Sequence, residues 1–183
     1  MATNKTTKAT KPSKPKFKHI TIHHTAGTYK PNAVDRAHYH FLIDQYGVVH
    51  KGDYEPEDNL DCTDGHYAPH CGGGNTGNIG IALCGNYGFT LTAKQSLYPL
   101  MREQFEACWK LCAELCLEYG LKPSDVQTHA YFGLTHPGTT SAGKIDIIYV
   151  PYNNFYGIEK VNNLFREKTN WYYQKLKSEN KQH

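Results

Sequence analysis

The chain has 183 residues, 39% of them hydrophobic and 20% charged, the composition of a soluble globular protein with one domain and a core of its own. No apolar run approaches a membrane span, so stable membrane insertion is not expected. The formal net charge of +3 is unevenly placed, because Lys5, Lys8, Lys11, Lys14, Lys16 and Lys18 precede any acid and the remainder is mildly acidic.

That basic segment, "MATNKTTKATKPSKPKFKH", has Phe17 as its only large apolar residue. Low hydrophobicity with Lys, Thr, Ser and Pro predicts disorder over residues 1–17. It lacks the apolar core of a secretory signal, so synthesis in the cytoplasm is expected. The tail can serve as a solubilising extension or attach to an anionic polymer or surface. Nucleic acid is not expected as a partner, since the lysines sit in one terminal segment of a chain whose body is acidic.

Alternation in "HITIHH" predicts a strand over residues 18–24 with Ile20, Ile22 and His24 on one face and His19, Thr21 and His23 on the other. A turn-rich stretch follows, with room for at most a short helix. "HYHFLIDQYGVVHKG" reads as a hairpin turning at residues 44–47. The segment between residues 53 and 78 is too rich in Gly, Asp, Asn and Pro for regular structure, and loops of that length are usually functional. "IGIALCG" is a short continuous apolar strand suited to a sheet centre.

A helix is predicted over "LTAKQSLYPLMREQFEACWKLCAELCLEYG", with Thr92 and Gln95 as a capping box, a bend at Pro99 and Gly120 as the stop. Cys108, Cys112 and Cys116 then stack on one helix face as small buried hydrophobes. Cys84 reads as core. Cys62 and Cys71 flank a loop, and a disulfide between them is conceivable only in an oxidising space. "VQTHA" and "GKIDI" read as further short extended segments, and residues 158–177 as a closing helix containing Phe165, Trp171 and Leu176. The fold class expected is α/β: a single domain with a central mixed β-sheet flanked by helices and polar residues gathered at strand ends.

Those strand ends carry the chemistry. His23 leans to the polar face, His129 closes "VQTH", and in an extended "GKIDI" Lys144 and Asp146 share a face. Two histidines and a carboxylate suit a catalytic zinc with one position open to water. With 11 histidines in the chain, rival sets are available, His136 in "GLTHPG" among them.

"ITIHHTAG", "HYHFLIDQYGVVHKG", "HCGGGNTGNIGIAL" and "THAYFGLTHPGTTSAGKIDI" occur in this order over roughly residues 17 to 150. Together they resemble the zinc-dependent N-acetylmuramoyl-L-alanine amidases of the phage-lysozyme and peptidoglycan-recognition-protein superfamily. The resemblance implies one catalytic zinc ion held by His23, His129 and Asp146. It also implies Lys144 as the catalytic lysine, Tyr39 in the active site, and His70 with Asn75 near the substrate groove. Some relatives carry an acid just after "IGI" as general base; this chain has Ala82 there, so that role would pass to Tyr39, Lys144 or the water itself. The helix between "HHTAG" and "YHF" is abbreviated, which should leave one groove wall low.

The activity implied is hydrolysis of the amide between N-acetylmuramic acid and L-alanine, with peptidoglycan as partner and the chain a monomer. Residues 1–17 would be the tail, 18–178 the catalytic domain and 179–183 a flexible end. The setting implied is a phage endolysin reaching the cell wall after release from the host cytoplasm. The alternative is a peptidoglycan-binding module without catalysis, against which stand the three ligands all present here.

Overall fold

The computed structural model describes residues 16–181. The disorder expected over residues 1–17 falls, up to residue 15, outside the described residues. Phe17 belongs to the folded unit, its ring centroid 4.5 Å from that of Tyr119, and the Lys18 N–H donates to the Gly77 carbonyl at 2.7 Å.

Five strands form one sheet in the order β3-β2-β4-β1-β5: β1 (His19–His24), β2 (Phe41–Ile43), β3 (Val49–Lys51), β4 (Asn78–Leu83) and β5 (Val126–Thr128). β2, β4, β1 and β5 run parallel, and β3 closes one edge as the antiparallel arm of the expected hairpin. β4 is buried along its whole length, as a central strand covered on both faces must be. Ile20 and Ile22 pair in register with Ile79 and Ile81 and join Phe105, Trp109 and Phe165 in the main core. That face is covered by α2 (Arg102–Tyr119) and α4 (Ile158–Glu179), which pack on each other.

The other face is polar. The Thr21 hydroxyl donates to Asn78 Oδ1 at 3.0 Å, and Gln127 Nε2 donates to Thr21 Oγ1 at 3.2 Å, a buried row across β4, β1 and β5. α1 (Ala33–His38) packs beside β2, and α3 (His129–Thr135) beside β1 and β5. α1 is the short helix foreseen, opened by a reciprocal box in which Asn32 Oδ1 accepts from Asp35 N–H and Asp35 Oδ2 from Asn32 N–H.

The structure corrects several expectations. The long helix starts at Arg102, not near Thr92; Leu97 is 75% exposed, and Lys94 has a left-handed backbone at φ 51°. Gln104 supplies the cap instead, accepting from Met101 N–H at 2.9 Å. His129 opens α3 and does not close a strand, with the Thr128 hydroxyl capping the helix at Tyr131 N–H. "GKIDI" is not extended: Ile147 sits at φ 58°, so the chain turns at Asp146 and buries Ile147 behind it. Trp171 lies on α4 but is 58% exposed. A two-stranded hairpin, β6 (Tyr149–Val150) and β7 (Phe155–Tyr156), follows the turn. All six cysteines are free thiols, and Cys108, Cys112 and Cys116 are buried on α2.

Candidate metal centre

His23 is the fifth residue of β1 and is fully buried on the polar face. His129 reaches the same place from the first turn of α3, and Asp146 from the turn that Ile147 forces. Their ligand atoms lie together as a group able to hold a metal ion. His23 Nδ1 is 3.4 Å from Asp146 Oδ2, and His129 Nδ1 is 3.3 Å from the same oxygen. Tetrahedral bonds to zinc of about 2.0–2.1 Å put neighbouring ligand atoms about 3.3 Å apart, so the spacing fits such an ion.

The hydrogen bonds fix which ring nitrogen faces the group. His70 Nε2 lies 3.1 Å from the Asn78 carbonyl, which can only accept, so that nitrogen carries the proton. His70 Nδ1 is then the acceptor for His23 Nε2–H at 3.1 Å. His23 Nδ1 is left with a lone pair, buried and without a hydrogen-bond partner among the described residues. On the other side the Ser141 hydroxyl donates to the Gly72 carbonyl at 2.8 Å and lies 2.9 Å from His129 Nε2, whose N–H it accepts. His129 Nδ1 therefore also points a lone pair inward. Two lone pairs and a carboxylate oxygen around one point repel unless a cation lies between them, and an orphaned buried nitrogen is otherwise costly.

Electrostatics agree with this arrangement. Burial pushes His23 down to about 4, against the opposing pull of Asp146, so the ring is neutral and able to bind. Tyr39 follows α1 as its C-cap, with its ring centroid 5.1 Å from that of His23. Burial, with Asp146 and Asp35 nearby, raises its phenol above the ordinary value, so it keeps its proton.

The structure thus brings together His23, His129, Asp146 and Tyr39. His70 joins them from beneath, buried and turned toward His23. Asn75 stands apart: its Oδ1 accepts from Cys71 N–H inside the 71–77 loop, near the start of β1. Lys144 occupies the turn before Asp146 with its side chain exposed. His136 stacks on Phe132 at 4.1 Å and is not part of the group. His24 accepts from Ala26 N–H through Nδ1, tying down the loop after β1. Sequence reasoning missed Ser141, which sits in a Thr/Ser-rich run where nothing local distinguishes it.

Comparison with curated proteins finds no match. Among solved structures, the amidase AmiD from E. coli, in complex with anhydro-N-acetylmuramic acid-L-Ala-D-gamma-Glu-L-Lys, is 20% identical with a TM-score of 0.48. That alignment covers 67% of this chain and 52% of that one, so the chain spans about half the length of the AmiD structure. Drosophila peptidoglycan recognition protein SD is 19% identical over 68% of this chain and 74% of that one, with a TM-score of 0.46. PlyL is 17% identical over 86% of both, with a TM-score of 0.45. The family match is broader evidence: it runs from residue 13 through Asp146, most of the chain, and ends on the third member of the metal-holding group. The chain belongs to the N-acetylmuramoyl-L-alanine amidase family.

Proposed function

We propose that this chain is a zinc-dependent peptidoglycan hydrolase cleaving the amide between the lactyl group of N-acetylmuramic acid and L-alanine of the peptide stem. The observation that carries this reading is the convergence of His23 Nδ1, His129 Nδ1 and Asp146 Oδ2, with both imidazole N–H groups turned away. Family membership supports the substrate class. Two imidazoles and one carboxylate suit zinc and leave a fourth position for water or substrate. The chemistry such an ion supplies is Lewis acidity, which polarises the scissile carbonyl and makes the attacking water more acidic.

The chain's own groups divide the remaining work. Tyr39 holds its proton, so its hydroxyl serves as a donor to the carbonyl oxygen as negative charge grows there, and it is unsuited to act as the base. Lys144, on the exposed turn two residues ahead of Asp146, brings a positive charge to the same oxygen. Ala82 is buried in the sheet beside Leu42 and Cys84 and contributes no proton-transfer group. The setting that suits this chemistry is host lysis by a phage endolysin, made in the cytoplasm and acting as a monomer on the wall after release.

Digestion of purified peptidoglycan with and without a zinc chelator tests the reading. New L-alanine amino termini without new sugar reducing ends, lost on chelation, are expected. New reducing ends would mean a glycosidase, and binding without release would mean a recognition module. Lys144→Ala should keep its zinc while turnover falls about 100- to 1000-fold; full activity would remove Lys144 from the mechanism.

A further inference from the structure

The two histidines of the metal-holding group share a support that lies in one loop. His70 reaches His23, and two residues on, the Gly72 carbonyl reaches His129 through the Ser141 hydroxyl. We propose that residues 70–72, acting directly and through Ser141, hold both His23 and His129 as Nε2–H tautomers and so dictate that each offers Nδ1 to the ion. His70 and Ser141 are positioning residues on this view, and the proposal rests on the metal-centre reading above.

The loop is built for close approach on both arms. Gly80 lies under the His70 ring, where a Cβ would fall 2.5 Å from His70 Cγ. The far side of His70 is held by the Asn78 carbonyl, and Asn78 is itself fixed, donating from Nδ2 to the Gly74 carbonyl at 2.8 Å. A Cβ on Gly72 would collide with the Thr140 hydroxyl, next to Ser141. Cys71, between the two arms, is buried with its Sγ 3.9 Å from Ser141 Oγ. Each relay therefore ends on a backbone carbonyl, which cannot reverse its polarity. A neutral imidazole has one proton, so a carbonyl at the far end of the chain decides where every proton upstream must sit.

Outer partners of this kind typically change metal affinity about 10- to 100-fold when removed. The test measures zinc affinity by competition with a chromophoric chelator, so it is independent of turnover. His70→Leu, which cannot accept from His23, should bind zinc about 10- to 100-fold more weakly. His70→Gln should restore most of that affinity, because its amide can accept from His23 and donate to the Asn78 carbonyl. Ser141→Ala should weaken binding through the His129 arm alone. Nitrogen-15 spectra of the metal-free wild-type chain should show unprotonated Nδ1 at His23 and His129, with His23 alone becoming mixed in His70→Leu.

Wild-type affinity in both His70→Leu and Ser141→Ala, or a proton on Nδ1 of His23 in the wild type, would overturn the proposal. Should His70→Leu fail to fold, the wild-type spectrum and Ser141→Ala still decide it. A chain that shows these tautomers but hydrolyses no peptidoglycan would overturn the proposed activity and leave this inference standing.

Discussion

At the scale of single residues, the smallest side chains do as much as the ligands. Gly80 pairs in register with Thr21 in the middle of the parallel sheet, where a β-branched residue would normally be favoured. Its N–H donates to His40 Nδ1 at 2.8 Å, and the space above it is filled by His70. A methyl group there must displace a ring that is hydrogen-bonded at both ends. Gly80→Ala is expected to cost about 1–3 kcal/mol, the usual penalty of overpacking, seen as a lower midpoint in denaturant. It should also weaken zinc binding, because a displaced His70 no longer meets His23. A variant with wild-type stability and affinity would show that the loop yields easily, against the fit described here.

At the scale of elements, the site depends on how helices are tied to strand ends. Gln104, fully buried in the first turn of α2, donates from Nε2 to the carbonyls of Ile43 and Cys84, each at 2.9 Å, while its Oε1 accepts from Met101 N–H. One amide thus caps the helix and closes the ends of β2 and β4. Gln104→Leu leaves the Cys84 carbonyl and the Met101 N–H without their partner, while the Ile43 carbonyl keeps the Cys84 N–H at 2.8 Å. At about 1–3 kcal/mol for each unsatisfied group, a loss of about 2–6 kcal/mol is expected in equilibrium unfolding. A loss below about 1 kcal/mol would mean that water replaces the amide at little cost. This residue also explains why the helix start was not legible. Thr92 with Gln95 satisfies the local capping rule as well as Gln104 does, and only the distant carbonyls of Ile43 and Cys84 choose between them. The strands were legible because Ile20, Ile22, Ile79 and Ile81 obey alternation and their faces are decided locally. His23 was chosen for the same reason. "GKIDI" alternates equally well, yet Ile147 adopts φ 58°, a conformation that costs a β-branched residue of order 1–3 kcal/mol and is held by its burial in the core. The extended geometry that suggests Asp146 is thus one the chain does not adopt, and the resemblance carried by "GKID" points to the same residue independently of it. The inward tautomers of His23 and His129 had no local signal, because they depend on carbonyls at Asn78 and Gly72.

At the scale of the whole molecule, the polar face of the sheet stores neutral imidazoles, and this sets the response to acid. Burial pushes His23 and His40 each down to about 4, and His70 well below its ordinary value. His40 is the cleanest case, since it lies outside the metal-holding group. Its Nε2 donates to Asn59 Oδ1 at 3.0 Å, and Asn59 is oriented by donating in turn to the Ala68 carbonyl. In the unfolded chain the same ring titrates near 6.5. Below that pH the unfolded state binds more protons than the folded one, so stability falls as pH falls. The contribution is fully present above pH 6.5, drains away toward pH 4, and is then exhausted. The interval corresponds to about 3 kcal/mol for one fully buried histidine. Denaturant unfolding of the chelator-treated chain should therefore show a midpoint that is level above pH 6.5 and declines steadily to pH 4. His40→Asn should flatten that decline by one histidine's share while leaving the slope due to His23 and His70. A midpoint unchanged between pH 7 and pH 4 would mean that these rings take up protons in place, and that the polar face is open to water.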